Sequence, residues 1–448
     1  MISTPTRSRT STVLAVAALV AVAGCTKAKD GSSDDGEHKS SPPIAGTHAK
    51  ADDGHYKARK ATTVKLADGA TKVKGLGAKV KGDVVTITQA GTYVFSGTLS
   101  DGGINVNSPG EGKVKLVLDG ADISSASTSP VIITAADEAV VILADGTEST
   151  LSDAAAASQD DQQPDAPTGT LFSTADLTIA GSGSLTVHGK SNDGIVGKDG
   201  LVILAGSVTV DAVDDAVAGK DYLVVHDGTL SVKAGGDGLK SNGDTPGELG
   251  WIRFEGGKTS VESVGDGIAA EGSLTVDSGD VDVTKSDDGV KSQVVSVSGG
   301  TLSVTAIGDG IKASKGGKGG TAPGAPKVVE QGVKLTISDG TVHIDAGGDG
   351  IDSRGSATIT GGVVTIGKSG KNAIDVVGTS KTPDRLTVPL ATAGKVELKD
   401  AAGEVVASFT AAKAGPRLVI ADGITTGKTY TVTLDGNPAG TVTAAAQP

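Results

Sequence analysis

Large aromatic side chains are scarce: one Trp, four Tyr and four Phe in 448 residues. A core of this size normally leans on them, so the interior has to be built from Val, Ile, Leu and Ala. Cysteine is rarer still. A single Cys25 excludes an intramolecular disulfide, a cysteine-based zinc site and an iron–sulfur cluster. Basic charge is in deficit, with 40 Lys plus Arg against 53 Asp plus Glu and a net charge of -13. Phosphate contacts need concentrated cations, so nucleic acid is not an expected partner. The apolar run Val13–Val22 is too short for a comfortable membrane span. Walker, GxSxG and HExxH motifs are absent. Gly and Pro make about 18% of the chain, below the roughly 25–30% typical of low-complexity disorder.

What is present at the N-terminus is a processing signal. Arg7 and Arg9 precede the apolar run, and Val22-Ala23-Gly24-Cys25 closes it. A charged start, a short apolar stretch and small residues before a cysteine resemble a bacterial lipobox, whose cysteine becomes the acylated first residue. Residues 1–24 are the expected lipoprotein signal peptide and Cys25 the expected lipidation site. Two or more acyl chains give stable anchoring, which places the protein on the outer face of the cytoplasmic membrane. Residues 25–63 carry almost no large apolar residue and read as a disordered tether. His38, His48 and His55 within it read as solvated.

From about Val84 onward, short β-branched strands alternate with Gly. The pattern [GND]-D-[GA]-[ILV] recurs with its aspartate at Asp193, Asp215, Asp237, Asp266, Asp288, Asp309 and Asp349, and a weakened copy carries Asn372. The spacings are 22, 22, 29, 22, 21, 40 and 23 residues. A column of turn glycines follows: Gly206, Gly228, Gly257, Gly279, Gly300, Gly340 and Gly362. The two long spacings exceed 22 by 7 and 18 residues, in the polar stretches Asn242–Gly250 and Lys315–Gln331. A stacked repeat tolerates insertions where a loop can leave it, so the corner beside the aspartates is expected to be decorated. Apolar residues alternate with Ser, Thr or Asp at period 2, and no stretch has helical spacing. The expectation is an all-β parallel β-helix of about 22 residues per coil, stacked at roughly 4.8 Å. It spans residues 64–380, and residues 381–448 form a small β cap or module.

Seven aspartates at one position of such a coil form a column. Neighbouring carboxylates about 4.8 Å apart repel by about 1 kcal/mol in water and more in a low dielectric, so something offsets the repulsion. Lys240, Lys291 and Lys312 each follow a column aspartate by three residues. Calcium is the other candidate, since it takes carboxylate and carbonyl oxygens, and Asp214 and Asp287 add a second carboxylate in two coils. The alternative is that each Asp shapes its turn through hydrogen bonds to backbone. A lyase would need a Lys or Arg base beside calcium. Lys240, Lys291, Lys312 and Arg354 are near enough in sequence to serve that role, to bind an acidic glycan, or to be solvated. Trp251, beside the seven-residue insertion, either stacks on sugar or plugs the loop. His188, His226 and His343 read as strand histidines.

The run VTITQAGTYVFSGTLSDGGINVN from Val85, then KVKLVLDGADI, VVILADGTESTLSD, NDGI and the repeated GDGIK-type turns, resembles the carbohydrate-binding domain of cell-surface proteins with a polysaccharide-lyase-like β-helix. The resemblance covers residues 62–377. It implies a right-handed parallel β-helix, calcium bound by the acidic turns, and affinity for cellulose or acidic sugars without established hydrolysis. Matched residue by residue, it carries a metal-binding role to the column aspartates alone. The expectation is a lipid-anchored, calcium-dependent, monomeric binder of polysaccharide that is not an enzyme. A pectate-lyase-type enzyme and a non-catalytic surface or adhesion scaffold are the alternatives.

Overall fold

The computed structural model describes residues 43–154, 166–243, 249–315 and 327–445. The signal segment, Cys25, His38 and the middles of the two insertions lie outside the described residues. Among the described residues there is no α-helix, and 36 strands join one mostly parallel sheet.

The strands fall into three ladders, each adding one short strand per repeat. The first ladder carries the aspartate turns: Gly169–Ser173, Asp193–Gly197, Val217–Gly219, Leu239–Ser241, and on through Ile311–Ala313, Ile351–Ser353 and Ile374–Val376. Its register sets Leu171, Ile195, Val217, Leu239, Ile268, Val290, Ile311 and Ile351 in one file, and all of them are buried. The 22-residue spacing is thus the register of a parallel ladder: each copy puts the same side chain over the one before it. The second ladder runs through Gly200–Ile203, Tyr222–Val225 and Trp251–Phe254, and the third through Ser207–Ala212, Thr229–Ala234 and Lys258–Ser263.

The turn glycines lie between the second and third ladders. Gly228, Gly257, Gly279 and Gly300 all have positive φ, where a side chain is strained. A Cβ on Gly228 would also lie 2.4 Å from the carbonyl oxygen of Gly206, and the later glycines repeat the clash. Glycine is required twice over at this corner.

Both ends of the sheet are covered. At the start, the hairpins Thr62–Leu66 with Lys72–Lys74 and Ala78–Lys81 with Val84–Ile87 are antiparallel and rich in exposed lysine, which discourages edge pairing. At the end, Gly415–Ala421 pairs antiparallel with Val363–Ile366 and with Arg385–Leu390. A separate four-stranded antiparallel sheet completes this C-terminal module around Leu386, Val396, Leu398, Phe409 and Tyr430.

The tether is shorter than the sequence suggested. Residues 43–57 pack against the outer face of the second ladder, where Ile44, Ala49 and Tyr56 meet Val117, Val140, Ile142, Val202 and Val224. Ala49 is fully buried. His48 is not solvated: its Nδ1 lies 2.7 Å from the Tyr222 hydroxyl and its Nε2 2.9 Å from Thr178 Oγ1. Asp53 accepts hydrogen bonds from the Lys50 amide and from Lys113 Nζ. The polar composition of the strap hid three apolar contacts made with residues far along the chain.

Candidate functional site

The outer face of the first ladder is a shallow groove, and its residues repeat by register. At the turn entering each strand stands the column aspartate. Its Oδ1 accepts the backbone N–H of the next column residue: Asp193 from Asp215 at 3.1 Å, Asp215 from Asp237 at 2.7 Å, Asp237 from Asp266 at 2.9 Å, Asp266 from Asp288 at 3.3 Å. Asp288, Asp309 and Asp349 continue it at 2.8, 2.8 and 2.7 Å, the last serving Asn372. The column is a chain of braces between repeats. Asn372 receives the final bond, so the weakened copy ends the chain without breaking it.

The second carboxylate oxygen is where the repeats differ. Three residues on, the outward file reads Val196, Ala218, Lys240, Ala269, Lys291, Lys312, Asp352 and Asp375. Lys240 reaches back to Asp215 Oδ2 at 2.7 Å and also sits 3.3 Å from Asp237. Lys291 reaches Asp266 at 2.9 Å, and Lys312 reaches Asp288 at 2.8 Å and Asp309 at 3.4 Å. Burial works against these ammonium groups, but the bonds and charges of their aspartate partners outweigh it and hold all three pKa values above ordinary lysine. A general base must be free to accept a proton, so these lysines are poor bases. In the last repeats the polarity reverses. Asp352 and Asp375 occupy the file, with Lys327 paired to both and Arg354 Nε 3.6 Å from Asp352.

At the start of the column the file holds Val196 and Ala218 instead of lysine. There Asp193, Asp214 and Asp215 each offer an oxygen, and the three lie within 4.8 Å of one another. Burial, then the charges of Asp215 and Asp214, push the Asp193 carboxyl up to about 7. Calcium–oxygen distances run about 2.3–2.6 Å, so oxygens this close can share one ion. Three protein oxygens also leave coordination positions for water or a ligand, since calcium takes 6–8. The residues fit a calcium ion here. They fit one poorly at Asp237, Asp266, Asp288 and Asp309, where lysine already lies against the carboxylates. Within the trio Lys240 holds Asp215 Oδ2 at 2.7 Å, so Asp193 and Asp214 would be the principal ligands and Asp215 an edge one. Asp287 is exposed and raised by burial and by Asp288 and Asp266, with Lys312 and Lys291 acting against them. Asp349 is buried and spends its Oδ1 on Asn372.

Two cavities open along this face. One of about 330 Å³ is lined by Asp193, Lys198, Asp215, Lys220, Lys240 and Asn242. The other, of about 400 Å³, is lined by Asp237, Lys240, Asn242, Asp266, Glu271 and Lys291, among others. They share Lys240 and Asn242, so they form one track along the ladder. Carboxylates outnumber ammonium groups along it five to four. The loop after Asp153 returns at the aspartate edge, while the insertions after Asn242 and Lys315 leave from the opposite edge of the ladder, a correction to the single decorated corner expected.

Trp251 is not in this groove. It lies on the second ladder, stacked on Tyr222 at 4.7 Å and 14°, beneath the strap. Lys198, Lys220, Asn242 and Glu271 were not singled out from the sequence. All four stand five residues after a column aspartate, and that spacing was the signal.

The sequence matches a family model described as carbohydrate-binding domain-containing protein, over residues 81–286 and 266–444. A protein of that description from Acetivibrio thermocellus is 40% identical over 128 residues, which cover 29% of this chain and 45% of that one. The chain thus spans under half the length of this relative. A solved structure described as the polysaccharide lyase-like protein from C. thermocellum, in a gadolinium derivative, aligns with 30% identity and a TM-score of 0.46, covering 53% of this chain and 92% of that one. With well over half of its length matched by the family model, the chain belongs to the family of carbohydrate-binding domain-containing proteins.

Proposed function

We propose that the protein is a lipid-anchored, extracytoplasmic binder of polysaccharide whose groove holds an acidic chain through calcium at Asp193, Asp214 and Asp215. In this reading the three ladders close around the apolar core as a right-handed parallel β-helix. The chain is tied by Cys25 to the outer face of the cytoplasmic membrane and works as a monomer without catalysis. The observation that carries the binding mode is the acidic trio at the start of the column, where the file holds Val196 and Ala218 and only Asp215 of the three is met by a file lysine. Calcium supplies positive charge shared between the trio and a uronate carboxylate. Lys198, Lys220 and Lys240 stand beside it to orient the acidic sugars, and Asn242 offers an amide to ring hydroxyls. Because carboxylates outnumber ammonium groups along the track, an acidic chain meets net repulsion until a cation bridges it.

The test is retention of the full chain on immobilised polygalacturonate, first with calcium and then with a chelator. Retention that the chelator abolishes supports the reading. A folded protein that passes through in both buffers overturns it, and retention on cellulose unaffected by chelation would replace the acidic ligand with a neutral one.

A further inference from the structure

The C-terminal module creates a second cavity, of about 200 Å³, against the outer face of the third ladder. On the ladder side Asp282, Ser303, His343 and Thr365 stand in register, one per repeat, and so about 4.8 Å apart along the stack. On the module side it is lined by Phe409, Thr410, Ala411 and Arg417.

Some of these groups are occupied and some are not. Asp345 is fully engaged, by Arg417 Nη1 at 2.5 Å, Lys413 Nζ at 2.9 Å and the Lys368 amide at 3.0 Å. His343 Nδ1 lies 2.6 Å from the hydroxyl of buried Thr365, which leaves Nε2 as the ring nitrogen available to a ligand. Burial, then the charge of Arg417, lower the His343 pKa, so the imidazole is neutral near pH 7. Among the described residues, neither the Asp282 carboxylate nor the Ser303 hydroxyl has a hydrogen-bond or ion-pair partner. A carboxylate, a hydroxyl and a neutral imidazole in a line, with an aromatic side chain at the wall, are donors and acceptors suited to a polyhydroxylated ring.

We propose that this seam is a second carbohydrate site that takes a single uncharged pyranose residue. Asp282 accepts from two neighbouring sugar hydroxyls, Ser303 and His343 Nε2 complete the polar side, and Phe409 supplies the apolar wall. The size favours one ring, since sites for larger ligands run about 300–1,000 Å³. The charge favours a neutral ring, because Arg417 and Lys413 are spent on Asp345 and a uronate would face Asp282. This site is separate from the groove and does not depend on calcium.

The test follows the ring signals of the six histidines in the isotope-labelled full chain, with His343→Asn used to identify the His343 signal. Glucose, galactose and mannose are the probes, with galacturonate as the charged control. At least one neutral sugar should shift the His343 signal saturably without moving that of His226. Asp282→Asn should weaken this binding by about tenfold or more, the value of a hydrogen bond to a charged group. Ser303→Ala gives a second variant whose fold is not in question. No saturable shift with any of the three sugars overturns the proposal. So does equal affinity in the wild type and both variants, or galacturonate binding as well as the neutral sugars.

Discussion

Asp193 and Asp288 occupy the same position of the same repeat and make the same bond, each Oδ1 accepting the backbone N–H of the next column residue. They differ in what answers their charge. At Asp288 a lysine from the following repeat lies 2.8 Å from Oδ2. At Asp193 the facing residues are Val196 and Ala218, and two further carboxylates crowd in. One repeat motif therefore does two things. Where lysine is present the aspartate is a finished brace. Where it is missing the same brace leaves excess negative charge at the surface, which is what a cation site requires.

The largest expected effect separates the two jobs of one aspartate. Asp288→Ala removes the acceptor of a buried N–H and the nearer of the two carboxylates that hold Lys312, and should cost about 3 kcal/mol in urea unfolding. Asp288→Asn keeps an amide oxygen for the N–H and should cost only about 1 kcal/mol. Equal losses would mean that the backbone bond contributes nothing. Next, Lys312→Met makes a middle repeat resemble the first. Lys312 is about a quarter exposed, so the loss should be about 2 kcal/mol, below the 3–5 typical of a fully buried pair. Part of that loss should return on adding calcium. Unfolding curves that ignore calcium in this variant would break the comparison.

Smaller still, Asp193→Asn relieves repulsion within the trio and should stabilise the calcium-free protein by up to about 1 kcal/mol at pH 8. It should also remove the stabilisation that calcium gives the wild type. The smallest effect belongs to the far end of the sheet. Burial and the charge of Arg417 depress His343 below its ordinary 6.5, so the neutral ring is the form the fold favours. Its contribution is complete above pH 6.5 and is lost as pH falls through the folded-state value. The Tm of the wild type should drop more steeply just below pH 6.5 than that of His343→Asn. Parallel profiles would remove the histidine from the account.

The register was legible in the sequence because a parallel ladder repeats its own side chains. Asp266 over Asp237 and Gly279 over Gly257 are the same constraint met again, once as a brace and once as a clash. The lysine partners were legible as one of two ways to offset the column. Which repeats use lysine and which leave an acidic cluster depends on Val196 and Ala218, ordinary residues whose meaning appears only once the file is assembled. The strap was missed for another reason. Its partners lie from 60 to 174 residues away, and its own composition is polar. A signal did exist in Val140–Leu143, Leu201–Leu204 and Tyr222–Val225, where alternation gives way to continuous apolar runs, as in strands buried on both faces. Trp251 and Tyr222 stand where that covered face ends, so their stacking answers the strap before it answers any sugar.

Calcium calorimetry on the full chain and on two substituted chains tests the central claim most directly. The wild type should show a saturable binding component that Asp193→Asn removes and Asp288→Asn leaves in place. The same component surviving in Asp193→Asn, or disappearing in Asp288→Asn, would contradict the division of the column into braces and a cation site.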